Sequence, residues 1–542
     1  MKVVLADLSA KNIHKTLAPW CLKAYCDEYV DGCEIVVQEY TVNDNVGKVV
    51  NNIFQSNPVV VGFSCYIWNV EYVVKVAMSL KKYLPECVII LGGPEVSFET
   101  DCGNYPFADY IVQGAGEKAF ADIINEIQSG NISRGVVFKS CSDYDFEELP
   151  NPYTEAYFGS FALGRMLSIE NQLVYYESSR GCPFACAFCL SSTFCGVKEL
   201  TLERVFSDIG ILLKNGAICI KFVDRTFNAN KLRAKRILEF IFSLETDCIF
   251  HFEIAADLLD LEMLQIISLM PKKRVQFEIG IQSVNEATLA EINRVMNIGS
   301  ALQNIETLAG FGNCHIHVDL IAGLPFETME SFAKGIDECV KLKPNMLQLG
   351  FLKLLKGTKI RENSESYGYV FNDFPPYDVF RSDDMSFADI IGLKSIEEVV
   401  DKFYNSGMFA RTVDYAIDNV FGGSAYKMFC ELADFCECKN LKVSLKNAYT
   451  MLLNFLYKYV ERTVAEHYIK LDCLTFDSKG MLPDGIAVLR DKAAEREFKR
   501  SSGHTNVRVE YFEYDDKTRV FVYGEKSGLG EDYRVVEGMT SI

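Results

Sequence analysis

At 542 residues, 49% hydrophobic and 24% charged, the chain has the composition of a globular protein with material for several cores, without low-complexity tracts or internal repeats. A formal net charge of −19 disfavours a large nucleic-acid partner, which needs a basic face. The N-terminal "MKVVLADLSA" reads as a strand rather than a signal peptide, and no apolar run of about 18 residues marks a membrane span. A cytoplasmic protein is expected, with most of its 19 cysteines as buried thiols.

Residues 1–130 alternate short apolar strands ("KVVLADL", "EIVVQEY", "NPVVVGFS", "CVIILGG", "ADYIVQG") with helical patterns such as "VEYVVKVAMSLKKYL". Strands of this kind predict a doubly wound, Rossmann-like parallel sheet covered on both faces. Its polar and glycine-rich stretches, Asp7–Ala10, Gly62–Asn69, Gly92–Ser97 and Gly114–Glu117, fall at the C-terminal strand ends, where such sheets bind ligands. Residues 131–168 lose the rhythm and read as an acidic, aromatic linker with Pro150 and Pro152.

Over 169–360 a second series follows: "QLVYYES", "ICIKFVD", "IFHFEIAA", "RVQFEIGIQ", "CHIHVDLIAG" and "MLQLGFLK", separated by helical segments. These predict a partial (β/α)6, TIM-like barrel, with its chemistry at the C-terminal strand ends. Residues 361–542 read as an α+β region with a hairpin, "TNVRVEYFEYDDKTRVFVYGE", turning at "DDKT". The fold class is therefore α/β, with two parallel-sheet domains and a C-terminal α+β region.

The stretch "SSRGCPFACAFCLSS" follows the first barrel strand and spaces Cys182, Cys186 and Cys189 as Cys-x3-Cys-x2-Cys. Zinc ribbons use paired Cys-x2-Cys units, and no second pair is present. Three close thiolates suit three irons of a [4Fe–4S] cluster and leave the fourth iron open. Gly181 permits a tight turn and Phe188 can cover the cluster edge. Cys195, six residues on, is not read as a fourth ligand, because it would close the open iron. The x5 and x1 gaps of "CELADFCEC", Cys430 to Cys438, fit no common metal site.

Cys-x3-Cys-x-aromatic-Cys after the first strand of a partial barrel resembles the radical S-adenosylmethionine enzymes. "FEIGIQSVNEATLAEINR", "HVDLIAGLPFET" and "LGFLKLLKGT" are similar to that family's fourth-, fifth- and sixth-strand segments, so the likeness covers about residues 170 to 360. It implies that S-adenosylmethionine chelates the open iron and is cleaved to a 5′-deoxyadenosyl radical. It places Gln282, Ser283 and Arg294 near S-adenosylmethionine, with Arg294 offering a planar fork to a carboxylate. Glu253 would accept hydrogen bonds from a ribose. Asp224 ends the second strand where many relatives carry Gly-Gly-Glu, which is absent here.

"NPVVVGFSCYIWN", "CVIILGGPEVS" and "ADYIVQGAGEKAFADII" resemble the cobalamin-binding domain of a large subgroup of that family. The resemblance implies a cobalamin site at Ser9, Ser64, Tyr66, Trp68, Gly92, Gly93, Gly114, Gly116 and Glu117. Methionine-synthase-like domains carry an Asp-x-His-x-x-Gly loop; here Asp7 is followed by Ser9 at the histidine position, with no glycine beyond it. His14 is out of register and is assigned to the next helix. No histidine ligand to cobalt is expected, and the loop Ser64–Asn69, with Tyr66 and Trp68, would cover the lower cobalt face.

These likenesses imply a cobalamin-dependent radical S-adenosylmethionine C-methyltransferase acting on unactivated carbon, with a small-molecule or peptide substrate and a reductant such as flavodoxin or ferredoxin. Cyclisation, ring rearrangement or oxidation without methyl transfer is the alternative, and sulfur insertion into tRNA a further one. The C-terminal region resembles one of unassigned function on some cobalamin radical proteins and is read as a substrate lid.

Overall fold

In β1 (Lys2–Ser9), Val4, Ala6 and Leu8 enter one buried cluster while Val3 and Leu5 enter another on the opposite side. A strand buried on both faces must be apolar throughout, which accounts for the aliphatic runs of this region. The computed structural model describes all residues except 99–100, 133–134, 142–143, 163–168, 170–171, 194–195, 437–440, 477–481, 524–532 and 538–542.

The first sheet continues through α1 (Ala18–Tyr29), β2 (Glu34–Thr41), α2 (Val46–Gln55), β3 (Val60–Ser64), α3 (Val70–Tyr83), β4 (Val88–Gly92), β5 (Tyr110–Gln113), α4 (Glu117–Gln128) and β6 (Val137–Ser140). All pairs are parallel, in the order β2-β1-β3-β4-β5-β6. The direction of winding reverses between β1 and β3, so the ligand crevice of this topology opens between Ser9 and Ser64. The stretch read as a linker is more ordered than expected. It supplies β6 to the edge of this sheet and then α5 (Glu155–Ala162). β6 has no fully buried side chain, and its short apolar run, Val136 to Phe138, stands in a polar stretch.

The second sheet is the expected six-stranded parallel barrel wall. Its strands are β7 (Val174–Tyr176), β10 (Cys219–Phe222), β11 (Ile249–Ile254), β12 (Val275–Gln282), β13 (His315–Ala322) and β14 (Met346–Phe351). Between β7 and β10, the short ribbon β8 (Ser179–Gly181) and β9 (Val197–Glu199) brackets the cysteine stretch, and α6 (Leu202–Lys214) follows it. The other connecting helices include α7 (Lys231–Ser243), α8 (Leu261–Ser268), α9 (Glu286–Glu291), α10 (Ile298–Phe311) and α11 (Met329–Lys341).

The chain divides into two compact units, Met1–Thr328 with Gly350–Phe387, and Met329–Leu349 with Ala388–Ile542. The C-terminal region expected from 361 onward is thus itself divided, because residues 361–387 belong with the first unit. There the Tyr377 hydroxyl donates to Glu95 in the loop after β4, and Lys356 Nζ lies 3.5 Å from the same carboxylate. In the second unit, the predicted hairpin pairs Phe512 with Lys517, so it turns at 513–516, two residues earlier than the expected "DDKT", and it gains a third strand at Tyr533–Glu537. Lys470 and Arg508 neutralise the fully buried Glu510 at 2.9 and 2.8 Å. Among the described residues no helix is long and apolar enough to cross a membrane.

Candidate functional site

The cysteine turn is held from both ends. Asp224, at the end of β10, accepts from Ser178 N (2.8 Å), Ser179 N (3.0 Å) and the Ser178 hydroxyl. Burial pushes this carboxyl up to about 6 against those hydrogen bonds. The structure therefore records Asp224 as an anchor of the strand leading into the turn, with both oxygens engaged inside the protein. Gly181 has φ +102, and a Cβ there would lie 2.2 Å from the Gly196 carbonyl, so only glycine closes the ribbon. On the far side, Ala187 N donates to Ile292 O (2.8 Å) and Asn293 Nδ2 to Ala185 O (3.0 Å), clamping the turn to the segment after α9. Phe188 packs in an apolar cluster with Ile292, Leu289 and Leu324.

Cys186 is the most enclosed of the three thiols, at 4% exposure. Burial pushes it up, Arg294 opposes that, and the neighbouring Cys189 and Cys182 sulfurs reinforce it. Arg294 Nη1 approaches Cys186 Sγ at 3.8 Å while Nη2 donates to Gly280 O at 2.6 Å. Among the described residues, Arg294 Nε and Gln282 Oε1 are buried without a hydrogen-bond partner. Gln282 has φ +69 beside a bulge in β12, and its amide folds across Gly280, where a Cβ would lie 2.0 Å away. Gln282 and Arg294 thus converge on the cysteine turn with polar capacity left over. Ser283 is more closed in: it is buried and its oxygen accepts from Asn285 N.

Three thiols on one turn, with a guanidinium beside one of them, are a donor set that fits a [4Fe–4S] cluster. The unsatisfied Arg294 and Gln282 atoms fit a polar co-ligand beside it. Cys195 and Cys438 lie outside the described residues.

Glu253 sits near the end of β11. Burial and the neighbouring Glu278 push its carboxyl up to about 7, against Lys221 and Arg225. Arg225 was not singled out from the sequence. It is exposed, directly follows Asp224 at a strand end, and its charge acts on both Glu253 and Tyr66. Its position at the C-terminal end of a barrel strand was the available signal.

In the first domain, buried Asn69 staples the crevice. Its Nδ2 donates to Leu8 O (3.0 Å) and Ser64 O (2.9 Å), at the ends of the two strands flanking the crevice, and its Oδ1 accepts from Tyr66 N (2.8 Å). This fixes the loop on which Tyr66 and Trp68 stack at 4.4 Å, with Trp68 49% exposed. Gly93 has φ +103, and a Cβ there would lie 2.6 Å from Cys65 O, so the loop after β4 passes close under this platform. Gly92 ends β4; Gly114 donates to Ser97 Oγ (3.2 Å); Gly116 precedes α4. A strand-end crevice flanked by the half-buried Tyr66 and the exposed Trp68 fits a bulky planar ligand.

Two assigned residues look inward. Ser9 is buried, with its hydroxyl donating to Asp7 (3.2 Å) and paired with Thr16 (3.2 Å). Glu117 is gripped by Arg180, two residues before Cys182, through Nη2 (2.8 Å) and Nη1 (3.3 Å). His14 is not helical, since α1 begins at Ala18. It bridges to Leu173, and its Nδ1 hydrogen-bonds Tyr175 Oη (2.7 Å), tying the loop after β1 to β7. The same loop carries the buried Lys15, paired with Glu39 at 2.5 Å and ringed by Trp20, Tyr157 and Phe161.

Burial pushes Asp7 up to about 7, against hydrogen bonds from Thr16 and Ser9 and with a contribution from Glu39. The folded state holds this proton more tightly than the unfolded chain. Its contribution is complete at low pH and is lost as pH rises through about 7. Between about pH 5 and about pH 8, urea titrations are expected to show Asp7 costing roughly 2–3 kcal/mol of stability, and Asp7→Asn should flatten that slope.

Family models match three stretches: a B12 binding domain over 2–124, the radical SAM superfamily over 176–339, and a protein of unknown function (DUF4080) over 365–520. The chain is 26% identical over 319 residues to the cobalamin-dependent radical SAM methyltransferase TokK of Streptomyces tokunonensis, covering 52% of this chain and 44% of TokK. It is 26% identical over 347 residues to the uncharacterized methyltransferase PH0819 of Pyrococcus horikoshii, covering 61% of this chain and 73% of that protein. The chain thus spans less than half of TokK's length. Among solved structures, the cobalamin-dependent S-adenosylmethionine radical enzyme OxsB, with aqua-cobalamin and S-adenosylmethionine bound, shares the fold. The TM-score is 0.60 at 15% identity, over 93% of this chain and 81% of that one. The chain thus carries a B12 binding domain and a radical SAM domain in series, with the three-thiol turn at the head of the second, the arrangement in which it resembles cobalamin-dependent radical S-adenosylmethionine enzymes.

Proposed function

We propose that the chain is a cobalamin-dependent radical S-adenosylmethionine methyltransferase acting on an unactivated carbon of a small molecule or peptide. The observation that carries this reading is the convergence of Cys186, Arg294 and Gln282 at one turn, in the same compact unit as the strand-end crevice beside Tyr66 and Trp68. The methyltransferase names of TokK and PH0819 support the reaction class.

When bound, the cluster would supply the electron that cleaves S-adenosylmethionine, and cobalamin the methyl group. Cys182, Cys186 and Cys189 would hold the cluster. Arg294 places positive charge beside the Cys186 sulfur and, with the Gln282 carbonyl oxygen, offers polar contacts to S-adenosylmethionine. Glu253, with its carboxyl near neutrality, is suited to hydrogen-bond ribose hydroxyls. Tyr66, Trp68 and the backbone at Gly93 would seat the corrin. Thiols that must stay reduced for cluster binding suit the cytoplasm, with reduced flavodoxin or ferredoxin as electron donor.

The test is anaerobic reconstitution with iron, sulfide and cobalamin, reduction, and product analysis with methyl-deuterated S-adenosylmethionine. Methyl transfer predicts both 5′-deoxyadenosine and S-adenosylhomocysteine. 5′-Deoxyadenosine alone would favour cyclisation, rearrangement or oxidation, and neither product would overturn the enzyme reading.

A further inference from the structure

The strands of the second sheet turn apolar residues outward. In β12, Val275, Phe277, Ile279 and Ile281 are buried, and Gln276, Glu278, Gly280 and Gln282 occupy the alternate face. On that inner face the neighbouring strands present Lys221, His251, Glu253, His317 and Asp319. Register places Glu278 beside His317 on β13 and beside Glu253 on β11. His317 and Asp319, two residues apart on one strand, share that face.

One ligand atom each from Glu278, His317 and Asp319 lie within 4.8 Å of one another. The His317 and His251 side chains are 9% and 10% exposed. His317 Nε2 is 3.0 Å from Asp319 Oδ1, and His251 Nε2 is 3.1 Å from Glu278 Oε2. Yet among the described residues His251 Nε2, His317 Nε2 and Asp319 Oδ1 make no hydrogen bond. The imidazole and carboxylate atoms therefore crowd one enclosed patch at ion-pair distance but without good hydrogen-bond geometry, an arrangement that a shared cation would satisfy better.

The partner's chemistry follows from the donors. Carboxylate oxygens offer electron pairs, and so do imidazole nitrogens once a metal ion displaces their protons; a cation accepts them all. The single ammonium nearby, Lys221, is 2.8 Å from Glu278 and 3.9 Å from Glu253. Glu278 and Asp319 together outweigh the single Lys221 charge, while Glu253 is pushed up to about 7 and is offset by Arg225, which leaves net negative charge for a cation to neutralise. Two imidazoles with two carboxylates are a borderline N/O set of the kind that holds Zn²⁺, Fe²⁺ or Mn²⁺ rather than the all-oxygen set of Ca²⁺. Donors about 2.1 Å from a tetrahedral ion stand about 3.4 Å apart, so the observed spread needs to tighten by about an ångström.

We propose that the barrel interior binds one divalent transition-metal ion through Glu278, His317 and Asp319, with His251 as fourth ligand. The site is separate from the cysteine turn and does not depend on the proposed reaction. It would offer a Lewis acid to an oxygen of whatever enters the barrel.

The experiment is anaerobic equilibrium dialysis of the cluster- and cobalamin-loaded protein against Zn²⁺, read by zinc mass spectrometry. One zinc per chain is expected. The near-isosteric His317→Gln and Asp319→Asn variants should each weaken it by at least about tenfold, with circular dichroism confirming that they fold. The triple variant Cys182→Ala, Cys186→Ala, Cys189→Ala should keep the zinc. No zinc on the loaded protein, full binding by the folded His317 and Asp319 variants, or loss of zinc in the triple cysteine variant would each overturn the site, whatever the product analysis shows.

Discussion

Replacing Cys186 by alanine is expected to abolish S-adenosylmethionine cleavage, down to the rate without protein, and to remove about four irons per chain. The three cysteines are not equivalent in the fold. Cys182 Sγ is 3.6 Å from Thr226 Oγ1 at the rim of β10, and Cys182 and Cys189 are both partly exposed. Cys186 lies inside the turn: its carbonyl accepts from Cys189 N, and its sulfur is the one Arg294 approaches. Removing this thiol would take one proposed iron ligand and the partner of Arg294 Nη1 together. Iron and sulfide analysis after anaerobic reconstitution measures the first loss, and chromatography of 5′-deoxyadenosine measures the second. Cys195→Ala is the contrast: with the fourth iron left to S-adenosylmethionine, it should keep full iron content and cleavage. A Cys195→Ala variant that loses iron would require a four-thiolate cluster, and the radical reading would fail with it.

How much of this was legible depended on whether a residue's partner is near it in sequence. Every barrel strand was visible, because outward apolar positions recur under the helices, and the cysteine turn declared itself by spacing alone. β6, in the first sheet, is the exception: its apolar run is only three residues, Val136 to Phe138, set in a polar stretch at the edge of the sheet. Asp224 was correctly placed at a strand end, but its bonds to Ser178 and Ser179, 46 and 45 residues away, could not be read from position. Asn69 was hidden in the same way, since its partner Leu8 is 61 residues off. The polar barrel interior was written in plain view. "FHFEI", "QFEIGIQ" and "HIHVDL" alternate strictly, whereas parallel strands buried on both faces run apolar throughout. That alternation marks a wall whose second face is lined for chemistry.

Arg180→Met is expected to be the most damaging change outside the cysteines, costing roughly 3 kcal/mol and loosening the cysteine turn without touching a ligand. The guanidinium makes four contacts. It reaches Glu117 through Nη1 and Nη2, and Glu177 through Nε and Nη2, both at 2.8 Å in the latter case. It also lies 5.0 Å over the Phe146 ring. Burial pushes the Glu117 carboxyl up, but Arg180 more than offsets this and holds it below the usual carboxylate range. Without Arg180, Glu117 and Glu177 lose the guanidinium that both of them contact, in a cavity whose other arginine, Arg204, is paired with Asp208. Glu117→Gln is milder, about 1 kcal/mol, because Arg180 keeps Glu177. The pair joins the first residue of α4, beside the Gly114–Gly116 strand end, to the strand that opens the cysteine turn. Urea titrations of both variants measure the stability difference. Arg180→Met should also lower cobalamin retention on gel filtration and iron content together, whereas loss of only one would show that the two sites do not share this ion pair as their hinge.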